Sequence, residues 1–223
     1  MIDLYCERVG PGLWAEPINV LTNLAFIVAA ALVWRLARRE RRLTPQVWVL
    51  CGLLVLIGSG SALFHLLATG WAALADVTPI MLFQMAYLVF FSRDVMRLTW
   101  PQTLLLFGLF VLLATCFSLL PGEWLNGSLA YTPALLFVAG FGLWLRRHGR
   151  CAPNSLLLAA AVFVVSLTCR SLDRVVCETM PLGLHFLWHI FNGLTLYLAA
   201  RGYILNSIML RGDATRARAN GLP

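Results

Sequence analysis

Residues 46–68 read QVWVLCGLLVLIGSGSALFHLLA, an almost unbroken apolar run that turns small and polar only toward its far end. It slightly exceeds the ~20 residues a bilayer core demands of a helix, so it reads as a membrane span. Comparable stretches recur on both sides, and we read about seven spans: 17–36, 46–68, 72–91, 101–120, 128–146, 154–170 and 182–205. The chain of 223 residues is 60% hydrophobic and 12% charged, with a mean hydropathy of +0.80. A soluble domain cannot hide that much apolar surface. The expected fold class is all-α: a polytopic membrane protein, a seven-transmembrane helix bundle. One compact domain covers 1–205 and a polar cytoplasmic tail covers 206–223.

The formal charge of +7 invites a nucleic-acid reading, but its placement argues for a membrane. All seventeen basic residues are arginines, and fourteen flank alternate connections. They are Arg35, Arg38, Arg39, Arg41 and Arg42; Arg93 and Arg97; Arg146, Arg147 and Arg150; and Arg201, Arg211, Arg216 and Arg218. Arg8, Arg170 and Arg174 fall on the other side. Because cytoplasmic loops are enriched in positive charge, the N-terminus is expected outside and the C-terminus inside, with no nucleic-acid partner. Asp3, Glu7, Arg8 and Glu16 interrupt the first residues, which carry no cleavable signal sequence, so the first span is expected to direct insertion. Pro79 and Pro133 are expected to kink the third and fifth spans.

Three of the four histidines, His65, His185 and His189, lie near span ends that this topology puts at one face. At 1.5 Å per residue, Ser61 lies roughly 13 Å below its helix end, and His65 and Asp76 roughly 8 Å. His185 and His189 come out roughly 5 and 10 Å deep. Residues four apart share a helix face, so His185 and His189 can reach one ion, and Ser61 looks the same way as His65. Three imidazoles plus a water make a four-coordinate catalytic zinc site with one open position. Iron and copper also suit neutral imidazole. A lone histidine in a span is ordinarily a hydrogen-bonded core residue; a pair, with a third at equal depth and an aspartate beside it, points to a metal. Bis-histidine haem needs ligands on opposite faces and does not fit.

Asp76 is costly at that depth unless paired or near water, which marks it as functional; its structural reading is a cap or a partner for Arg170. Ser61 sits among Gly58, Ser59, Gly60 and Ala62, which also suit close helix packing.

The pattern Ser61-Ala-Leu-Phe-His65, Asp76, and His185-x-x-x-His189 resembles the alkaline ceramidases, seven-span zinc amidases of a superfamily that includes the adiponectin receptors. Tyr5-Cys6-Glu7 and Trp14-Ala-Glu16-Pro-Ile-Asn19 are similar to that family too, so the resemblance spans essentially the whole chain, and 1–205 is expected to be a ceramidase-like domain. It implies zinc on His65, His185 and His189, Asp76 hydrogen-bonding the zinc water and passing protons, and Ser61 steadying the oxyanion. The substrate it implies is a ceramide-like membrane lipid, cleaved at its N-acyl amide to a fatty acid and a sphingoid-type amine.

The resemblance also implies a calcium site. Glu7 and Glu16 fall at matching positions, with Asp3, the Tyr5 carbonyl and Asn19 as additional ligands. Leu4 stands where the family places an aspartate, and the run from Glu7 to Glu16 is shortened around Gly10-Pro11-Gly12. Few side-chain oxygens are left toward the six to eight that calcium takes. Cys6 and Cys177 both map to the outer side beside family-like segments, and a disulfide there would pin the N-terminal segment to the 6–7 connection. Cys169 is near enough to compete.

The rival readings are a superfamily hydrolase for another lipid ester or amide, a receptor-like protein with structural zinc, and a transporter. Polar residues gathered at one depth, not strung across the bilayer, disfavour transport. A bacterial inner membrane is the expected location, with the active site on the non-cytoplasmic side.

Overall fold

The computed structural model describes residues 2–207, so most of the polar tail expected over 206–223 lies outside the described residues. The elements are α1 (Pro17–Thr22), α2 (Leu24–Arg39), α3 (Pro45–Leu67), α4 (Gly70–Phe90), α5 (Trp100–Ser118), α6 (Thr132–Arg147), α7 (Ser155–Leu172) and α8 (His185–Asn206). A π-helical turn, Phe91–Val95, extends α4, and 3-10 segments at Trp124–Tyr131 and Asp173–Val175 precede α6 and follow α7. No strand occurs among the described residues.

Six segments are long and apolar enough to cross a membrane: Pro17–Arg39, Pro45–Leu67, Gly70–Val95, Trp100–Ser118, Trp124–Arg147 and Ser155–Val175. The first joins α1 and α2 across a break at Asn23. The last helix, α8, spans 22 residues but carries His185, His189, Asn192 and Arg201, and is too polar to count with the six. The exterior is apolar. α5 buries only Thr103 and Phe110, while Leu104, Leu105 and Leu112 face outward. An outward surface of that kind suits lipid better than water.

Local sequence sets the helix ends. Thr44 accepts the Val47 N–H at 3.4 Å to cap α3, and Pro45 occupies its first turn. α3 stops at Ala68, whose φ of 48° is left-handed, and α4 starts two residues later, making an antiparallel hairpin. Halfway along it, a Cβ on Gly60 would overlap the Ala75 carbonyl oxygen. Only glycine permits that approach, and it sets the next residues, Ser61 and Asp76, beside each other. Pro79 falls inside α4 as expected, whereas Pro133 lies in the first turn of α6, where a missing N–H costs nothing.

The two ends of the bundle differ in chemistry. At one end Arg42 donates to the carbonyls of Ile204 (2.5 Å) and Ser207 (2.7 Å), and Asn206 reaches the Cys151 carbonyl. The arginine-rich connections gather there. At the other end the N-terminal segment lies across the helix mouths: Ile2 N–H donates to the Ala68 carbonyl, and Cys6 is joined to Cys177 by a disulfide with a Cα–Cα distance of 5.2 Å. Cys51, Cys116, Cys151 and Cys169 are free.

Candidate metal centre

His65 lies in the last turns of α3, and His185 and His189 in the first turns of α8. All three are buried, at 0%, 2% and 0% exposure. One ring nitrogen or another from each lies within 4.8 Å of the rest. The His65 and His189 Nε2 atoms face each other at 3.2 Å.

The partners of the outer nitrogens decide what lies between them. His65 Nδ1 stands 2.5 Å from Glu16 Oε2, a carboxylate that only accepts, so Nδ1 carries the hydrogen and a neutral ring leaves a lone pair on Nε2. His189 Nδ1 meets Thr22 Oγ1 at 2.9 Å. The Thr22 hydroxyl gives its one hydrogen to the Ile18 carbonyl at 2.8 Å, so here it accepts, and His189 Nε2 also carries a lone pair. Two lone pairs confronted at that distance repel unless a cation lies between them. Zn–N bonds of 2.0–2.1 Å in a tetrahedron separate the nitrogens by roughly 3.3 Å, close to the spacing seen. The donor set fits a zinc ion held by His65, His185 and His189.

The outer partners form a connected shell. Glu16 Oε1 accepts from Arg8 Nε at 2.5 Å and Oε2 from Asn19 Nδ2 at 3.1 Å, while Arg8 Nη2 donates to the His65 carbonyl at 2.7 Å. Arg8 and Glu16 are 4% and 2% exposed. Burial raises the Glu16 carboxyl, but the hydrogen bond from His65, then those from Arg8 and Asn19, outweigh it and hold it below the ordinary range. Carboxylate behind histidine behind metal is the arrangement that fixes a ligand's tautomer and raises its basicity.

On the α8 side, Asp173 is fully buried. Its Oδ1 accepts the N–H groups of Leu184 (2.7 Å) and His185 (2.8 Å), and Oδ2 that of Cys6 (3.1 Å). It satisfies the otherwise orphaned donors at the start of α8 and ties that start to the N-terminal segment. Tyr5 stacks on His185, with ring centroids 3.5 Å apart and planes at 17°. Burial pushes the Tyr5 phenol up to about 12, so it stays protonated.

Most of the residues expected to bind calcium make protein contacts here. Glu7 accepts the N–H groups of Ile18 (2.7 Å) and Asn19 (2.8 Å), capping α1, and burial ahead of those bonds leaves its carboxyl raised. Glu16 is committed to Arg8 and His65. The Tyr5 carbonyl accepts the Arg8 N–H, Asn19 turns Nδ2 to Glu16, and Asp3 is exposed. The Arg8 guanidinium, a side-chain cation, occupies this network.

Ser61, Asp76 and His185 line one polar chamber together with Tyr5, Arg170 and Trp188. Ile80 and Tyr131 line both it and a second, apolar cavity, which lies between Phe83, Tyr87, Phe110 and Phe163. No ion pair joins Asp76 to Arg170 within 4.0 Å among the described residues.

Sequence reasoning missed Thr22, Asp173 and Glu16 as supports of the histidines, because each contact joins segments far apart in the chain and no local pattern marks it. Helices apolar enough for a bilayer, closed around a buried three-histidine cluster able to hold a metal ion, define the class: an integral-membrane protein. The family model described as Ceramidase matches residues 5–219, nearly the whole chain, and the protein belongs to the ceramidase family of hydrolases that act on lipid amides. No curated protein matches the chain.

Proposed function

We propose that this protein is a zinc-dependent intramembrane amidase that hydrolyses the N-acyl amide of ceramide or a ceramide-like lipid, releasing a fatty acid and a sphingoid-type amine. The facing Nε2 lone pairs of His65 and His189, 3.2 Å apart, are the observation that carries it. Zinc, when bound, supplies a nucleophilic water at neutral pH and Lewis acidity toward the amide carbonyl. His65, His185 and His189 hold it, with Glu16 and Thr22 orienting the rings. Asp76 takes a proton from the attacking water and delivers it to the departing amine nitrogen. The Ser61 hydroxyl donates to the carbonyl oxygen as negative charge gathers there. The apolar cavity, walled by Phe83, Tyr87, Phe110 and Phe163, accepts the acyl chain.

In the same reading α8 is the seventh span. The arginine-rich end faces the cytoplasm, the metal end lies toward the non-cytoplasmic side, and the polar residues from 206 onward form the cytoplasmic tail. A bacterial inner membrane is the proposed location. The Glu7 and Glu16 networks support a centre that works without calcium.

The test is to purify the protein, measure bound metal, and assay ceramide hydrolysis with and without chelator. About one zinc per chain, activity lost on stripping and regained with zinc, and inactive His65→Ala and His189→Ala variants are expected. Full turnover in metal-free protein would defeat the reading.

A further inference from the structure

α8 carries a carboxamide where its histidine-bearing face runs on into the apolar cavity. Asn192 follows His189 by three residues, so it neighbours that ring on the helix surface, about 4.5 Å further along the axis from the start of α8. Asn192 is 3% exposed and lines the cavity walled by Phe83, Tyr87, Phe110 and Phe163. Among the described residues its carboxamide has no hydrogen-bond partner. Two hydroxyls on the same wall are already committed. Tyr87 donates to the Ala199 carbonyl at 2.9 Å, and Thr195 donates to the Phe191 carbonyl at 2.8 Å.

A polar side chain inside a membrane bundle ordinarily bonds to a neighbouring helix, and leaving it unpaired in apolar surroundings is costly. Asn192 faces the cavity instead, so the partner has to come from what fills the cavity. Its carboxamide offers Nδ2 hydrogens and an Oδ1 lone pair and carries no charge. An aromatic and aliphatic wall disfavours an ion. The group that matches is a neutral hydroxyl, which donates to Oδ1 or accepts from Nδ2. Position says where on a lipid that hydroxyl lies. With the amide carbonyl at the histidines, a chain running into the cavity passes Asn192 within its first few carbons. Gln84 lines the cavity too, but it stands eight residues past Asp76 on α4, about 12 Å deeper, beside the middle of such a chain.

We propose that Asn192 is a specificity-determining residue that recognises a hydroxyl on the acyl chain close to the amide carbonyl. The inference rests on the amidase reading, which puts the acyl chain in this cavity. It narrows the substrate class to uncharged lipid amides with a 2-hydroxyacyl or 3-hydroxyacyl chain.

The test measures equilibrium binding to the zinc-loaded, detergent-solubilised protein by displacement of tritiated N-palmitoylsphingosine. The competitors are unlabelled N-palmitoylsphingosine, its 2-hydroxyacyl and 3-hydroxyacyl counterparts, N-(12-hydroxystearoyl)sphingosine, and N-palmitoylphytosphingosine, whose extra hydroxyl is on the base. The 2-hydroxyacyl or 3-hydroxyacyl lipid is expected to bind roughly three- to tenfold tighter than the unsubstituted one, the factor one hydrogen bond supplies. Asn192→Leu, similar in volume and apolar, brings that ratio to about one, with zinc content and melting temperature reporting that the variant has folded. If it does not fold, Asn192→Ala is judged on the same ratio. Gln84→Leu keeps the ratio. Equal binding of hydroxylated and unsubstituted lipids would show that water serves Asn192 and would overturn the proposal. So would a preference confined to the mid-chain or base hydroxyl, a ratio retained in Asn192→Leu, or no displaceable ceramide binding at all. Hydrolysis is scored separately on the same lipids: failure to cleave any amide with zinc present refutes the amidase and leaves the binding result intact.

Discussion

Glu16 and His65, 49 positions apart in sequence, meet at 2.5 Å, and through this contact the segment before the first span takes part in the metal centre. The same carboxylate binds Arg8, whose other arm holds the His65 carbonyl, so ring and backbone of one ligand are fixed from one side. Replacing Glu16 by Gln is therefore expected to weaken zinc binding about 10–100-fold while the protein still folds. Competition against a chelator of known affinity measures it; an unchanged zinc affinity would show the contact to be incidental.

Removing Arg8 takes the donor from Glu16 Oε1 and from the His65 carbonyl, both buried. Breaking one side of such a pair ordinarily costs about 3–5 kcal/mol. Arg8→Ala should lower the melting temperature in detergent sharply, and adding calcium should not restore it. Recovery with calcium would mean that the carboxylates can rearrange into the ion site the sequence suggested.

The Glu16 carboxyl titrates below its ordinary value of 4.5 in the folded protein. A group with a depressed folded pKa contributes stability above its unfolded pKa and loses it as pH falls through the folded one. The stability gap between the native protein and Glu16→Gln should thus be constant near neutrality and close below pH 4.5. Melting curves across that range read it directly; a gap that persisted in strong acid would contradict the assignment.

Asp76 and Ser61 line the chamber but do not belong to the three-histidine cluster. Asp76→Asn should keep stoichiometric metal and lose turnover, and Ser61→Ala should lower kcat by about 10²–10³-fold if its hydroxyl meets the oxyanion. Metal loss in Asp76→Asn would instead make it a ligand.

Gly60→Ala puts a methyl group onto the Ala75 carbonyl, backbone that has nowhere to move within a paired helix. We expect about 1–3 kcal/mol of destabilisation and a larger loss of activity, since Ser61 and Asp76 are displaced together. Gly52→Ala on the same helix meets open space and is the control.

The helices were legible because a bilayer imposes length and apolarity on every span, and α3 runs from Pro45 to Leu67 against an expected 46–68. The three histidines were legible because they stand at similar distances from their span ends and four-residue spacing sets the face; the structure gathers them within 4.8 Å. α8 was drawn too early, at 182, because nothing local shows that Asp173 receives its first N–H groups from across a turn. Glu16 was placed among calcium ligands on the family resemblance; its contact with His65, 49 positions away, was not visible because no periodicity announces a partner at that range. Arg170 was visible only as a possible mate for Asp76.

Everything Arg8, Glu16, Thr22 and His65 contribute is encoded in the first third of the protein, whereas His185 and His189 arrive only with its final helix. During synthesis the early residues can assemble a half-built cradle with one coordinating ring already aimed, and then wait while more than half the polypeptide is threaded into the bilayer. Assembly of the site is thereby tied to completion of translation: a ribosome that stalls before the closing helix leaves a product with one of its three clustered histidines.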